Sequence, residues 1–270
     1  MRNQAKLGTV FVLLATAATL RAADVRMYIA DAANNLVLFD PSTRVGEYVG
    51  SMGAQYTDIA FAPNGRLYGV TTTLLYEIDP TDGWSTLIGS MTLSVPEATG
   101  TTDALAFGPD GVLYGAGNDV LISIDPATAA TTVIGDLSGF RSAGDLAFTS
   151  DGRMLLTSDT GMLVEVDYTN GGATAIGALP FDDVYALGTD PDGAIYGVRA
   201  GHELLTIDPL SGAATSLGKL ETDFLMGWAW GGSIPSTHAP ETCTLVYLAI
   251  TGVWWACRRP ISAQTRSAVR

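Results

Sequence analysis

The sequence predicts an all-β fold, a five-bladed β-propeller with four strands in each blade. Three observations lead to this prediction: a motif that recurs along the chain, four short strand-like runs in each repeat, and an incomplete repeat at each end of the repeated region. Repeats of about 40–45 residues that contain four strands are typical of propellers, in which each blade is one small antiparallel sheet.

The repeat is most visible at its first hairpin, where an apolar run ends in Asn-Gly or Asp-Gly. The glycines of these pairs are Gly65, Gly111, Gly152 and Gly193, which lie 46, 41 and 41 residues apart. Because asparagine, aspartate and glycine tolerate a positive φ, we expect a type I′ turn at each pair. An Asp-Pro pair ends most of the third strands, since proline cannot donate a ladder hydrogen bond.

The two ends of the repeated region predict how the ring closes. The first repeat, which contains Tyr28, lacks its innermost strand, and the last segment, Gly227–Trp230, supplies only that strand. Pairing these two segments would complete the first blade and remove two exposed strand edges. Five blades result, and a hidden sixth blade is the alternative, although the extra segment Leu93–Thr101 is too short to form one.

The first 23 residues are interpreted as a signal peptide, and residues 24–232 as the propeller. Arg2 and Lys6 form a basic beginning, and the apolar stretch Leu7–Leu20 follows. This order is typical of export signals. An uncleaved anchor is the alternative.

The C-terminal end predicts a membrane anchor. Residues 233–242 have the composition of a linker, residues 243–257 form an uncharged run, and residues 258–270 form a basic tail. Fifteen residues are fewer than the roughly 20 of a full membrane span, but tilting and arginine snorkelling can cover the difference. A buried core helix is the less favoured alternative.

This C-terminal order resembles the PEP-CTERM sorting signal of exported bacterial proteins. Pro240 and Glu241 match its Pro-Glu motif, and Arg258 and Arg259 match the basic pair that follows the apolar helix. The resemblance implies that an exosortase-like sorting enzyme reads the tail, and that the protein lies in the cell envelope, on the outer surface or outside the cell. Thr242 departs from the motif, and a simple C-terminal anchor would have a similar sequence.

The charge of the chain excludes one class of partner. The net charge is −14, and the segment from Asp24 to Ile234 holds 27 acidic and seven basic residues. Such a domain repels nucleic acid, so no nucleic-acid partner is expected. The repeats themselves resemble the generic propeller repeats of secreted bacterial proteins, which agrees with an exported domain kept soluble by its carboxylates.

Candidate site residues are the acidic side chains that precede or open the innermost strands. These are Asp58, Asp103, Asp145, Asp182 and Asp183. A ring of such carboxylates could bind Ca²⁺, which takes six to eight oxygen ligands. Solvated loop acids are the favoured alternative, and no other cofactor is expected. For the tyrosines at one repeat position, strand packing is favoured over a sugar platform; they are Tyr28, Tyr68, Tyr114 and Tyr196.

No catalytic motif accompanies these acids. His202 and His238 are the two histidines of the chain, and neither lies in a nucleophile or metal-protease motif. The sequence therefore favours a surface-associated binding or scaffold module for an extracellular polysaccharide, matrix or protein ligand. The alternative is a propeller enzyme, such as a metal-dependent lactonase or a glycosidase or lyase that uses channel carboxylates.

Overall fold

A computed structural model describes residues 25–91, 102–221 and 229–235. The predicted signal peptide, the segment Leu93–Thr101, Gly227 and Trp228, and the sorting and anchor residues Pro240, Glu241, Arg258 and Arg259 lie outside these ranges. Among the residues described, no helix has the length and hydropathy needed to cross a membrane.

The described residues form five four-stranded antiparallel sheets, which confirms the predicted propeller. Blade 1 contains β1 (Met27–Asp31), β2 (Asn35–Phe39) and β3 (Gly46–Ser51). Blade 2 contains β4 (Asp58–Phe61), β5 (Leu67–Val70), β6 (Leu74–Ile78) and β7 (Ser85–Ser90). Blade 3 contains β8 (Ala104–Phe107), β9 (Leu113–Gly117), β10 (Val120–Ile124) and β11 (Thr131–Asp136).

The remaining strands complete the ring. Blade 4 contains β12 (Ser142–Phe148), β13 (Met154–Ser158), β14 (Met162–Val166) and β15 (Ala173–Ala178). Blade 5 contains β16 (Val184–Thr189), β17 (Ile195–Arg199), β18 (Glu203–Ile207) and β19 (Ala214–Lys219). The last strand, β20 (Ala229–Ser233), joins blade 1 as its innermost strand.

The last strand, β20, joins blade 1 and pairs antiparallel with β1, as predicted, but in a different register. The 41-residue spacing of the repeats predicts Gly227 at the position that Ala186 holds in blade 5. The structure has Gly231 at that position, opposite Ala30. The physical reason is space, because a side chain at Gly231 would overlap the carboxyl group of Asp58.

The first hairpin of each repeat also differs from the prediction in its turn type. Gly65 has a φ of 83°, but Asn64 does not have a positive φ, so the turn is not type I′. The amide of Gly65 bonds to the carbonyl of Ala62, which makes a four-residue turn around Pro63 and Asn64. Proline at the second position fixes a negative φ and favours a type I turn, after which glycine takes the left-handed conformation.

The hydrophobic core is divided among the five interfaces between neighbouring blades. At three interfaces a tyrosine on the second strand packs against a phenylalanine on the innermost strand of the next blade. The ring centroids are 5.1–5.8 Å apart, in the pairs Tyr28–Phe61, Tyr68–Phe107 and Tyr114–Phe148. Packing between blades is therefore the role of these tyrosines.

Neighbouring blades also meet at glycines in the outermost strands, where the backbone of one blade lies against the backbone of the next. A Cβ atom on Gly135 would overlap the carbonyl oxygen of Asn170, in the turn between the third and fourth strands of the next blade. Gly50 and Gly177 have the same relation to Asp82 and Ser211. Glycine at this position of the outermost strand is thus required by the close approach of the next blade.

We predict that Gly135→Ala destabilises the fold by about 1–3 kcal/mol, because the added methyl group must push two blades apart. Urea denaturation of the full chain measures this. The control is Gly201→Ala, since a Cβ atom at Gly201 meets nothing within 4 Å; its effect should stay within about 0.5 kcal/mol. Equal effects of the two substitutions would contradict this account of blade packing.

Candidate functional site

The five innermost strands surround a central channel, and they all run along it in the same direction. Each contacts the innermost strand of the next blade, so that β4, β8, β12, β16 and β20 form a closed ring. We call the end of the channel where these strands begin the start face, and the opposite end the end face. The two faces differ in chemistry.

Near the start face, backbone amides of all five innermost strands converge on two aspartates. The amides occupy the same position in each blade and belong to Ile59, Leu105, Leu146, Leu187 and Gly232. The innermost strands have no ladder partner on the channel side, so these donors need another acceptor. We call this arrangement the amide ring.

Asp58 and Asp145 supply that acceptor, and both are completely buried. Asp58 accepts hydrogen bonds from Ile59, at 2.6 Å, and from Leu105. Asp145 accepts from Leu187 and, at 3.4 Å, from Gly232, and the amide of Leu146 also favours its ionised form. Two side chains thus serve all five blades.

Burial raises the pKa of both carboxyl groups well above that of a free aspartate. The charge of Asp145 raises the pKa of Asp58 further. With both groups ionised, Oδ1 of Asp145 has no hydrogen-bond donor; a proton on Asp58 supplies one. Burial and mutual repulsion therefore both favour protonation of the pair, which would reduce the negative charge that it presents to the amide ring.

The other acids singled out in the sequence lie elsewhere on the start face. Asp103 is half-buried beside Ser142, and burial raises its pKa to about 6. Asp183 accepts from the Arg199 guanidinium at 2.9 and 3.2 Å, and Asp182 is exposed beside it.

The structure thus brings Asp58 and Asp145 together but not the whole set. Within residues 25–91, 102–221 and 229–235, no group of three or more His, Cys, Asp or Glu side chains is arranged to hold a metal ion. Calcium binding stays a prediction.

The end face opens into a funnel of about 360 Å³ that is lined by all five innermost strands. Three blades contribute a phenylalanine at the same position, namely Phe61, Phe107 and Phe148. Thr189 and Ile234 hold this position in blades 5 and 1. One side of the funnel is therefore aromatic, and the other carries a hydroxyl group and an aliphatic side chain.

Thr189 lines the funnel, and its hydroxyl oxygen is buried and has no hydrogen-bond partner among the described residues. A buried hydroxyl without a partner loses about 1–3 kcal/mol relative to a satisfied one. A ligand or water in the funnel would satisfy it only after the Thr189 side chain turns toward the opening. The funnel therefore has a mainly aromatic and apolar surface, with one unsatisfied hydroxyl beneath it.

The funnel is not among the sites predicted from the sequence. The predicted site residues are acids at the starts of the innermost strands, whereas the funnel lies at the ends of these strands. A signal for it was present, since Thr189 replaces the phenylalanine of the other repeats. A repeat that departs from the others at one such position can differ from them in function at that position.

Comparisons with known proteins identify the fold and no function. No protein-family model matches the sequence, and a search of the curated proteins found no match. One solved structure with the same fold is a symmetrical protein studied for its de novo evolutionary emergence. It is 20% identical over 76% of this chain and 94% of that chain, with a TM-score of 0.51.

Two further structures are more distant in sequence. A protein of unknown function from Bacteroides thetaiotaomicron is 16% identical, with a TM-score of 0.54 over 78% of this chain. The match spans 65% of that protein, slightly less than two thirds of its length. A virginiamycin B lyase from Staphylococcus aureus is 15% identical over 75% of this chain and 69% of its own, with a TM-score of 0.45, which is too low to bear on function.

The carboxyl groups with raised pKa values predict that stability falls as the pH rises. These groups hold protons more tightly in the folded chain than in the unfolded chain. Their stabilising contribution to the free energy of unfolding is therefore complete below about pH 4 and is lost as the pH rises through their folded pKa values. For Asp103 that occurs near pH 6. The buried pair contributes a loss of the same sign as the pH rises through its raised pKa values.

We predict that Asp145→Asn makes this decline shallower. The amide oxygen of asparagine can still accept from Leu187 and Gly232, but the repulsion of a second carboxylate is gone. Thermal unfolding of the full chain between pH 5 and pH 8 measures the slope. Asp182→Asn, which changes an exposed acid, is the control. A variant Asp145→Asn with the wild-type slope would show that the pair does not share a proton.

Proposed function

We propose that this chain is an exported, surface-associated propeller that acts as a binding module for an extracellular polysaccharide, matrix or protein ligand. The observation that carries the proposal is the funnel at the end face, with its three phenylalanines and the unpartnered hydroxyl of Thr189. A ligand with an apolar face and one hydrogen-bonding edge complements this lining.

Binding is favoured over catalysis because the channel acids are already engaged. Both oxygens of Asp58 and one oxygen of Asp145 accept backbone amides, and neither side chain lines the funnel. A general acid or base must reach its substrate within hydrogen-bond distance. In this geometry the two aspartates stabilise the ring beneath the site.

We predict that Thr189→Phe abolishes ligand binding at the funnel without destabilising the fold. Phenylalanine already occupies the equivalent position in three blades, so the larger side chain should fit and fill the cavity. Thr189→Val is the matched control, since it removes the hydroxyl alone and should weaken binding about tenfold at most. Affinity electrophoresis of the full chain in gels containing hydroxyethylcellulose, xyloglucan or mannan measures binding. Retardation of Thr189→Phe equal to that of the wild type would exclude the funnel.

An enzyme that uses channel carboxylates is the second candidate. The observation in its favour is the pair of buried carboxyl groups whose pKa values are raised, since acid–base sites often contain such groups. If the wild type cleaves one of these polysaccharides and the Asp145→Asn variant does not, the enzyme function is favoured. If Ca²⁺ is also needed for that cleavage and raises the melting temperature, the metal-dependent form is favoured.

Export and anchoring are part of the proposal and rest on the terminal segments. We predict that replacing Arg258 and Arg259 by alanine shifts the protein from the cell-envelope fraction to another fraction, because the basic pair holds the apolar segment in place and completes the signal for an exosortase-like enzyme. Replacing Arg266, in the same basic tail, is the control and should change nothing. Unchanged fractionation of the double variant would remove the sorting interpretation.

A further inference from the structure

The funnel shares the end face with a second cleft, which lies on blade 2. This cleft has a volume of about 320 Å³, and Arg66, Glu77 and Trp84 line it. Arg66 lies at the hairpin before β5, Glu77 lies near the end of β6, and Trp84 follows the next turn. All three positions are on the same face as the mouth of the funnel.

Trp84 is the most unusual of these residues, because 73% of it is exposed. The residue at this turn position accepts a hydrogen bond through its backbone carbonyl, and its side chain does not matter to the turn. Val45, Ala130, Gly172 and Ala213 occupy the same position in the other blades. A tryptophan is therefore not required by the fold, and a large exposed aromatic ring beside a cleft is a feature of binding surfaces.

The polar side of the cleft is an ion pair. Nε of Arg66 lies 2.8 Å from Oε1 of Glu77, and both side chains are partly open to solvent. The pair presents guanidinium donors and a carboxylate acceptor next to the indole ring, and the two charges offset each other. Arg66 also lies 3.5 Å from the hydroxyl of Tyr68. Tyr68 also packs on Phe107 of the funnel, so it links Arg66 of the cleft to Phe107 of the funnel.

We propose that the blade-2 cleft is a sugar subsite for a neutral polysaccharide whose chain also reaches the funnel. A pyranose ring has an apolar C–H face, which suits the indole of Trp84, and a rim of hydroxyl groups, which suits the donors and acceptors of Arg66 and Glu77. This proposal rests on the proposed function and names its ligand class.

The charge of the domain selects neutral over anionic chains. The chain has a net charge of −14, and the guanidinium of Arg66 is already paired. A polyanion such as alginate would meet repulsion without a free cation in the cleft. Hydroxyl groups are recognised without this cost.

The test is affinity electrophoresis of the full chain in gels that contain hydroxyethylcellulose, xyloglucan, mannan or alginate. We expect retardation by at least one neutral polymer and none by alginate. Trp84→Ala should weaken that binding about tenfold or more, and Trp84→Phe should restore part of it. Leu87→Ala is the matched control, because Leu87 is a 54% exposed apolar residue of the same blade that does not line the cleft.

The possible outcomes distinguish failure of the sugar subsite from failure of the proposed function. Retardation that Thr189→Phe abolishes and Trp84→Ala leaves unchanged would keep the funnel but overturn the subsite. Retardation by alginate alone would overturn the choice of a neutral chain. Retardation by no polysaccharide would overturn the sugar class, and a protein ligand would then be the better candidate for the funnel. Circular dichroism of each variant shows whether it is folded.

Discussion

The amide ring is the constraint on which the rest of the structure depends. A propeller closes its sheets into a circle, but the innermost strands still have one edge that faces the channel, and the donors on that edge must be satisfied. In this chain the donors point to one level of the channel, where Asp58 and Asp145 accept them. Without these carboxyl groups, five buried amides would lack a partner inside the protein.

Several other features follow from this arrangement. Gly231 has no side chain because Asp58 occupies the space beside it, and this fixes the register in which the last strand joins the first blade. Two buried carboxyl groups at one level of the channel cannot both ionise easily, so their burial and repulsion favour a proton on the pair. The channel is filled at this level, and its open volume lies at the other end, in the funnel.

The molecule therefore separates, along one axis, the groups that close its ring from the groups on which the proposed binding function depends. The buried acids hold the ring together near the start face, whereas the aromatic and hydroxyl groups of the funnel lie at the end face. The ion pair of Arg66 and Glu77 and the exposed ring of Trp84 are on the end face as well. Residues of the end face can therefore change without loss of the hydrogen bonds that close the circle, which would suit the proposed binding function.

Much of this could be predicted from the sequence, because the repeat shows the local rules of each blade. The blade number, the strands and the role of the C-terminal strand follow from recurring glycines and apolar runs. The register of β20 could not be predicted, because it depends on contact between Gly231 and Asp58, which are 173 positions apart.

The site shows the same limit. Asp58 and Asp145 are identifiable as acids that open innermost strands, but their meeting in the channel depends on ring closure. Thr189 and Trp84 differ from the other repeats at their positions, yet only the assembled ring places them on one face. Local sequence patterns thus predict the individual blades, whereas the side-chain contacts in the central channel depend on how all five blades assemble.

The most direct test of the account is the infrared spectrum of the full chain at neutral pH. If the two aspartates share a proton, the spectrum contains the carbonyl band of a protonated, buried carboxyl group, and that band is reduced in Asp145→Asn and absent when both Asp58 and Asp145 are asparagine. A wild-type spectrum without a protonated carboxyl band would contradict the central claim, since both acids would then be charged and the amide ring would be held in another way.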